Sequence, residues 1–241
     1  AQTRIEVVTE GILTRMLQSD QALEEVGLVI FDEFHERSIH ADLGLALCRE
    51  SQQILRDDLK LLIMSATLNT EALKELLEAP VLTAQGIQFP VENRYAPVPE
   101  NTWLSTHTGN IIRKTLAQET GSILVFLPGA REIRQVAENL QSLASEQIWI
   151  TPLFGNLSPK EQERAIQPAP KDVRKVVLAT NIAETSLTIE GIRVVIDSGQ
   201  ERAPRFDPIS GMTELKTQVI SKASAEQRRG RAGRLEPGLC I

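Results

Sequence analysis

The chain has 241 residues, of which 41% are hydrophobic and 24% charged, with a formal net charge of −6. That balance suits a soluble globular protein and, at this length, two domains are expected. It excludes a general attraction to polyanions, which leans on phosphate neutralisation, so any nucleic-acid site must be local. The one dense cationic run is "QRRGRAGR", Gln227 to Arg234. No stretch approaches the roughly eighteen apolar residues of a membrane span, and "AQTRIEVVTE" lacks the regions of a signal peptide, so no membrane partner and a cytoplasmic location are expected. Cys48 and Cys240 have no metal-ligand spacing and are expected as reduced thiols, Cys48 as a small core residue.

In chain order, "RIEVVT" at Arg4 is a first strand candidate. "LVIF" at Leu28 and "LKLLIM" at Leu59 are short apolar runs that fit strands covered on both faces. Between them "ERSIHADLGLALC" begins a helix with Ile39, Leu43, Ala46 and Leu47 on one face, and Leu73, Leu76 and Leu77 mark another after Thr70. The segment "QFPVENRYAPVPENT" carries three prolines and no helical period, which predicts a linker near residue 97 between halves 1–96 and 97–241. "SILVFL" at Ser122, "RKVVLA" at Arg174 and "RVVI" at Arg193 are further buried strands. "AREIRQVAENLQSLA" places Ile133, Val136, Ala137, Leu140, Leu143 and Ala144 in one apolar stripe. "ERAPRFDPISGMTELKTQV" predicts a hairpin turning at Asp207 to Gly211. Alternation of strand and helix gives α/β units with a mostly parallel sheet and ligands at the strands' carboxyl ends. Both ends are expected to be cut, with "GLCI" an apolar run just beginning.

Asp32 and Glu33 follow a strand directly, with His35 and Arg37 close behind. Acids there can simply cap a strand where it meets water. They can also form a magnesium-nucleotide site, one carboxylate holding the hydrated ion and the next orienting or deprotonating the attacking water. "MSAT" puts Ser65 and Thr67 at the next strand's carboxyl end, either as an ordinary loop or beside the acids if the strands are neighbours. In "AEQRRGRAGR", Gln227, Arg231 and Arg234 are spaced i, i+4, i+7 and share a helical face, with Arg228 and Arg229 turned away. A solvated basic patch is one reading. A phosphate-gripping face is favoured, because Gly230 and Gly233 weaken the helix by about 1 kcal/mol each, which fits something approaching the backbone closely. "ATNIAETSLTIEG" offers Thr180, Asn181, Thr185, Ser186 and Thr188 at a strand-to-helix turn, suited to a sugar-phosphate backbone or to a plain helix cap.

Taken in order, "TEGILTRML", "DEFHER", "SAT", "ILVFLPG", "ATNIAETSLTIEG" and "QRRGRAGR" resemble motifs Ib to VI of superfamily 2 helicases of the DEAH/RHA type, most closely the bacterial HrpB-like branch. The resemblance implies two RecA-like domains, the first truncated at its N-terminus, that bind ATP and single-stranded or structured RNA. It implies that Asp32 coordinates Mg2+ through water and that Glu33 is the catalytic base, also close to the metal. His35 would couple the nucleotide to the second domain, and Ser65 and Thr67 would link hydrolysis to domain motion. Gln227, Arg231 and Arg234 would complete the γ-phosphate site, and Glu190 would stand near ribose or water, where relatives commonly have Asp. Thr9, Gly11, Arg131, Thr180 and Asn181 would touch the RNA backbone. The hairpin from Arg202 to Val219 sits where such helicases carry a strand-separating ribbon, and Gln200 stands where many have a Phe stacked on adenine.

No G-x-x-x-x-G-K-[ST] loop occurs in the 241 residues. The expectation is therefore a monomeric ATP-dependent RNA helicase core that binds and hydrolyses ATP poorly as given, with no accessory protein identifiable. A non-hydrolysing RecA clamp and a DNA translocase are the alternatives.

Overall fold

The computed structural model describes residues 3–36, 38–65, 70–84, 89–184 and 189–241. It divides into two compact units, Ala1–Ala84 and Gln85–Ile241. Among the described residues no helix is long and apolar enough to cross a membrane.

In the first unit, helix α1 (Glu10–Ser19) precedes strand β1 (Leu28–Phe31). A 3-10 turn (Phe34–Glu36), helix α2 (Ile39–Ile54), strand β2 (Lys60–Ile63) and helix α3 (Thr70–Leu77) follow. Strands β1 and β2 pair in parallel, Leu28 opposite Lys60 and Phe31 opposite Ile63. The apolar run "LVIF" is buried only at alternate positions: Val29 and Phe31 enter the core while Leu28 and Ile30 are about half exposed, against the expectation of two covered faces. The stripe of α2 also differs from expectation. Ala41, Leu45 and Cys48 are buried, whereas Ile39 and Leu43 face solvent. The reason is steric: small residues on that face let the helix close on β1, and a Cβ at Gly44 would sit 3.5 Å from both Leu13 and Phe31. "RIEVVT" forms no strand, and Ile5 and Val7 are exposed.

The second unit contains β3 (Val91–Asn93), α4 (Leu104–Gln118), β4 (Ser122–Phe126), α5 (Ala130–Asn139), β5 (Ile148–Leu153) and α6 (Pro159–Ile166). It continues with β6 (Arg174–Ala179), β7 (Ile192–Asp197), β8 (Gln200–Asp207), β9 (Met212–Val219), α7 (Lys222–Gly230) and β10 (Gly238–Cys240). The sheet order is β3-β10-β7-β4-β6-β5, all parallel. Here the two-faced expectation holds, since every residue of β4 is buried. Ile123 and Val125 join one core cluster with Ile133, Val136 and Leu140 of the predicted stripe, and Leu124 and Phe126 join the other. Helix α5 stops at Asn139, so Leu143 packs from a following 3-10 turn and Ala144 is exposed.

The proline-rich segment expected as a linker contributes an edge strand instead. Asn93 pairs with Cys240, and Phe89 N–H donates to the Gly233 carbonyl at 3.0 Å, so this stretch belongs to the second sheet. Lys175, on β6, is 1% exposed and caps α6 by donating to the carbonyls of Arg164, Ala165 and Gln167. Burial pushes its ammonium down to about 8. The hairpin β8–β9 turns where expected, with Gly211 N–H bonded to the Asp207 carbonyl at 2.9 Å and Gly211 at φ 68°.

Candidate functional site

The carboxylate pair occupies the carboxyl edge of β1. Phe31 is buried and Phe34, 3% exposed, stacks edge-on against it with ring centroids 6.1 Å apart. Phe34 N–H donates to the Met64 carbonyl and Met64 N–H to the Phe31 carbonyl, at 3.1 and 2.8 Å, so the two strands stay clamped beyond their ends. Between these anchors the chain must turn sharply, and Glu33 does so at φ 50°, a left-handed conformation uncommon for a residue with a Cβ. Its N–H donates to Asp32 Oδ1 at 2.9 Å. The consequence is that Asp32 is exposed and Glu33 is partly so, rather than following the pleat into the core. His35 Nδ1 lies 3.4 Å from Glu33 Oε2, with the His side chain 8% exposed. Ser65 follows Met64 on the neighbouring strand; its Oγ is shielded from solvent and has no hydrogen-bond partner among the described residues. The strands are neighbours, so Ser65 and the acids share one edge. Thr67 and Arg37 lie outside the described residues.

Thr9 and Gly11 are exposed in and before the first turn of α1. Thr9 is the N-cap residue without a side-chain cap bond, and nothing lies within 4 Å of a Cβ built on Gly11, so packing does not require that glycine. Glu10 between them accepts a hydrogen bond from Ser38 Oγ, which also caps α2 by accepting from Ala41 N–H at 2.9 Å. The "TEG" turn and the segment after "DEFH" are thereby joined.

In the second unit, Phe126, Ala179 and Asp197 end neighbouring strands in register. Arg131 is exposed in the first turn of α5 after Gly129, and a Cβ at Gly129 would come within 2.9 Å of the Arg202 guanidinium. Thr180 is half-buried and Asn181 exposed just past β6, and Glu190 is exposed before Gly191 at φ 74°. Thr185, Ser186 and Thr188 lie outside the described residues.

Helix α7 ends at Gly230, so the wheel that groups Gln227, Arg231 and Arg234 does not run through to Arg234. Gln227 is half-buried on the helix, Arg231 is its C-cap residue and 6% exposed, and Arg234 is exposed in the turn beyond. Arg231 donates Nε (2.8 Å) and Nη2 to the Glu184 main-chain carbonyl. Arg228, expected to turn away, is 1% exposed. Its Nε donates to Glu184 Oε2 at 2.8 Å and its Nη1 to Asp197 Oδ1 at 3.0 Å, with Phe126 beneath at 4.8 Å. Glu184, Asp197 and Arg228 were missed in sequence. Asp197 carried a usable signal, an acid closing the apolar run "RVVI" much as Asp32 closes "LVIF". The close approach inferred from the glycines is real at Gly233, where a Cβ would lie 2.6 Å from the Phe89 carbonyl oxygen; the approaching group is this chain's own edge segment. Gly230 has open space.

Among the described residues no three His, Cys, Asp or Glu side chains converge as a metal cage. The donor set at β1 still fits magnesium, which keeps several waters and takes one or two carboxylates along with phosphate oxygens.

Two family models match the chain, the DEAD/DEAH box helicase over residues 1–76 and the helicase conserved C-terminal domain over residues 107–236. The chain belongs to the helicases defined by that conserved C-terminal domain. Within that family it is 58% identical over 240 residues to the ATP-dependent RNA helicase HrpB of Escherichia coli K12, covering 99% of this chain and 30% of the relative. It is 40% identical to a HrpA homolog of Haemophilus influenzae and 39% identical to HrpA of Borreliella burgdorferi, covering 18% and 29% of those helicases and 99% of this chain in each case. Its structure matches a crystal structure of the Escherichia coli DEAH/RHA helicase HrpB with a TM-score of 0.92 at 58% identity, over 99% of this chain and 30% of that one. The chain thus spans less than a third of the length of these helicases, and the α/β fold with RecA-like domains is the family's.

Proposed function

We propose that this chain is the motor core of an ATP-dependent RNA helicase, a hydrolase that couples ATP turnover to movement on RNA in the cytoplasm, acting as a monomer. The observation that carries the reading is the locked edge of β1. The clamp that forces Glu33 to φ 50° leaves two adjacent carboxylates, Asp32 exposed and Glu33 partly so, at a strand edge beside His35 and Ser65, an arrangement suited to metal and phosphate. The high identity to helicases named for RNA supports the substrate class.

In this reading Asp32 holds magnesium through water, and magnesium, when bound, neutralises phosphate charge. Glu33 accepts the proton of the attacking water, its carboxylate aimed by the turn that Phe34 anchors. His35, next to that carboxylate, relays its position; Ser65, just past β2, senses it, and Thr67 shares that role. Gln227, Arg231 and Arg234 serve the γ-phosphate, with Arg231 exchanging its hold on the Glu184 carbonyl for phosphate oxygen. Glu190 stands near ribose. Thr9, Gly11, Arg131, Thr180 and Asn181 hold the RNA backbone, which positions a strand without reading its sequence.

The chain itself contains no G-x-x-x-x-G-K-[ST] loop, so turnover is measured in a protein of the relatives' length that carries it. Glu33→Gln there should lower RNA-stimulated ATP hydrolysis by at least about 100-fold, the scale of a lost general base, while nucleotide binding survives. Undiminished turnover would remove Glu33 from the role. Nucleotide and RNA binding without turnover in the wild type would favour a passive clamp.

A further inference from the structure

We infer that Arg228 is a positioning residue that ties the α7 guanidinium segment to the root of the β8–β9 hairpin. The inference rests on the helicase reading and concerns how its parts are joined. Burying a guanidinium is costly unless its branches are matched, and an apolar side chain over Phe126 would fill the same space with less desolvation. What the charged fork adds is span, because its rigid branches reach several elements at once. In this protein they reach the turn after β6 through Glu184, the end of β7 through Asp197 and the first residue of β8 through the Gln200 carbonyl at 3.3 Å.

The remaining branch is informative. Nη2 is shielded from solvent with no hydrogen-bond partner among the described residues, and it faces Glu201 Oε2 across 3.9 Å. This is one contact at the hairpin root that can tighten or release while the other bonds stay in place. Glu184 is also gripped from its main chain by Arg231, so the two arginines are referred to the same turn. A shift of Arg231 toward phosphate would be felt by Glu184, and through Arg228 by β8. The hairpin root has a second tether in Arg202, whose Nη2 lies 3.3 Å from Glu132 Oε1, so displacement at Glu201 turns the ribbon about a held point.

The test is hydrogen–deuterium exchange of residues 200–219 in the full-length protein, with and without a non-hydrolysable ATP analogue and magnesium, alongside nucleotide affinity and thermal unfolding. Wild type should show a nucleotide-dependent change in hairpin exchange. Arg228→Lys and Glu201→Gln should bind nucleotide within about threefold of wild type, yet show a hairpin response reduced by about fivefold or more, the lower scale of a site-to-site coupling. A folded variant that keeps the wild-type response, or a nucleotide-binding wild type without one, overturns the inference. If Arg228→Lys does not fold, Glu201→Gln decides alone. A wild type that binds no nucleotide overturns the helicase reading instead.

Discussion

Glu33 shows what was legible at the scale of one residue and what was not. An acidic pair closing an apolar run is visible in a continuous string of letters, so Asp32 and Glu33 could be placed at a strand edge. The left-handed backbone at Glu33 could not, because it comes from Phe34 and Met64 clamping β1 to a strand thirty residues away. Glycine adopts this conformation without the Cβ penalty, so in denaturant titrations Glu33→Gly should be more stable than Glu33→Ala by about 1 kcal/mol. Equal stability would show that the turn carries no strain. Arg228 escaped for a related reason: its partners come from β7 and from the turn after β6. The cysteines are simpler. Burial pushes Cys48 up to about 11 and Cys240 up to about 12, from 9.0 in an exposed chain. Unfolded thiols lose protons first, so the folded state is favoured below pH 9 and loses that stability as pH rises through 11. Cys48→Ala should flatten part of this decline in pH-dependent unfolding.

At the scale of elements, α5 and strands β4, β6 and β7 were legible because apolar period and buried runs are local signals, whereas the partly exposed β5 was not read as a strand. The face of α2 was misjudged because large apolar residues suggested a stripe, while the closest packing went to alanine, glycine and cysteine. The edge strands β3 and β10 were not legible; three residues each is too short for a period, and their pairing joins distant parts of the chain. Two glycines of one motif separate packing from propensity. Gly233→Ala should cost about 2 kcal/mol, since the added Cβ meets main chain that cannot swing aside. Gly230→Ala, with open space, should be neutral or gain up to about 1 kcal/mol. Thermal unfolding of the two variants checks both signs.

For the whole molecule, the composition allowed two domains, and the parallel α/β architecture followed from alternating elements. The second unit encloses its own core on both faces of a six-stranded sheet. Residues 85–241 produced alone should therefore unfold in a single cooperative transition, followed by circular dichroism, and a broad non-cooperative melt would contradict this. The hairpin stands apart from that core, with Phe206, Ile209 and Met212 exposed around its tip. Strands of eight residues make a ribbon roughly 27 Å long at the usual rise per residue. Leverage then follows from length: a tilt of roughly 10° at the base sweeps the far end through ~5 Å, so sub-ångström adjustments beside Arg228 are magnified where the ribbon meets its surroundings.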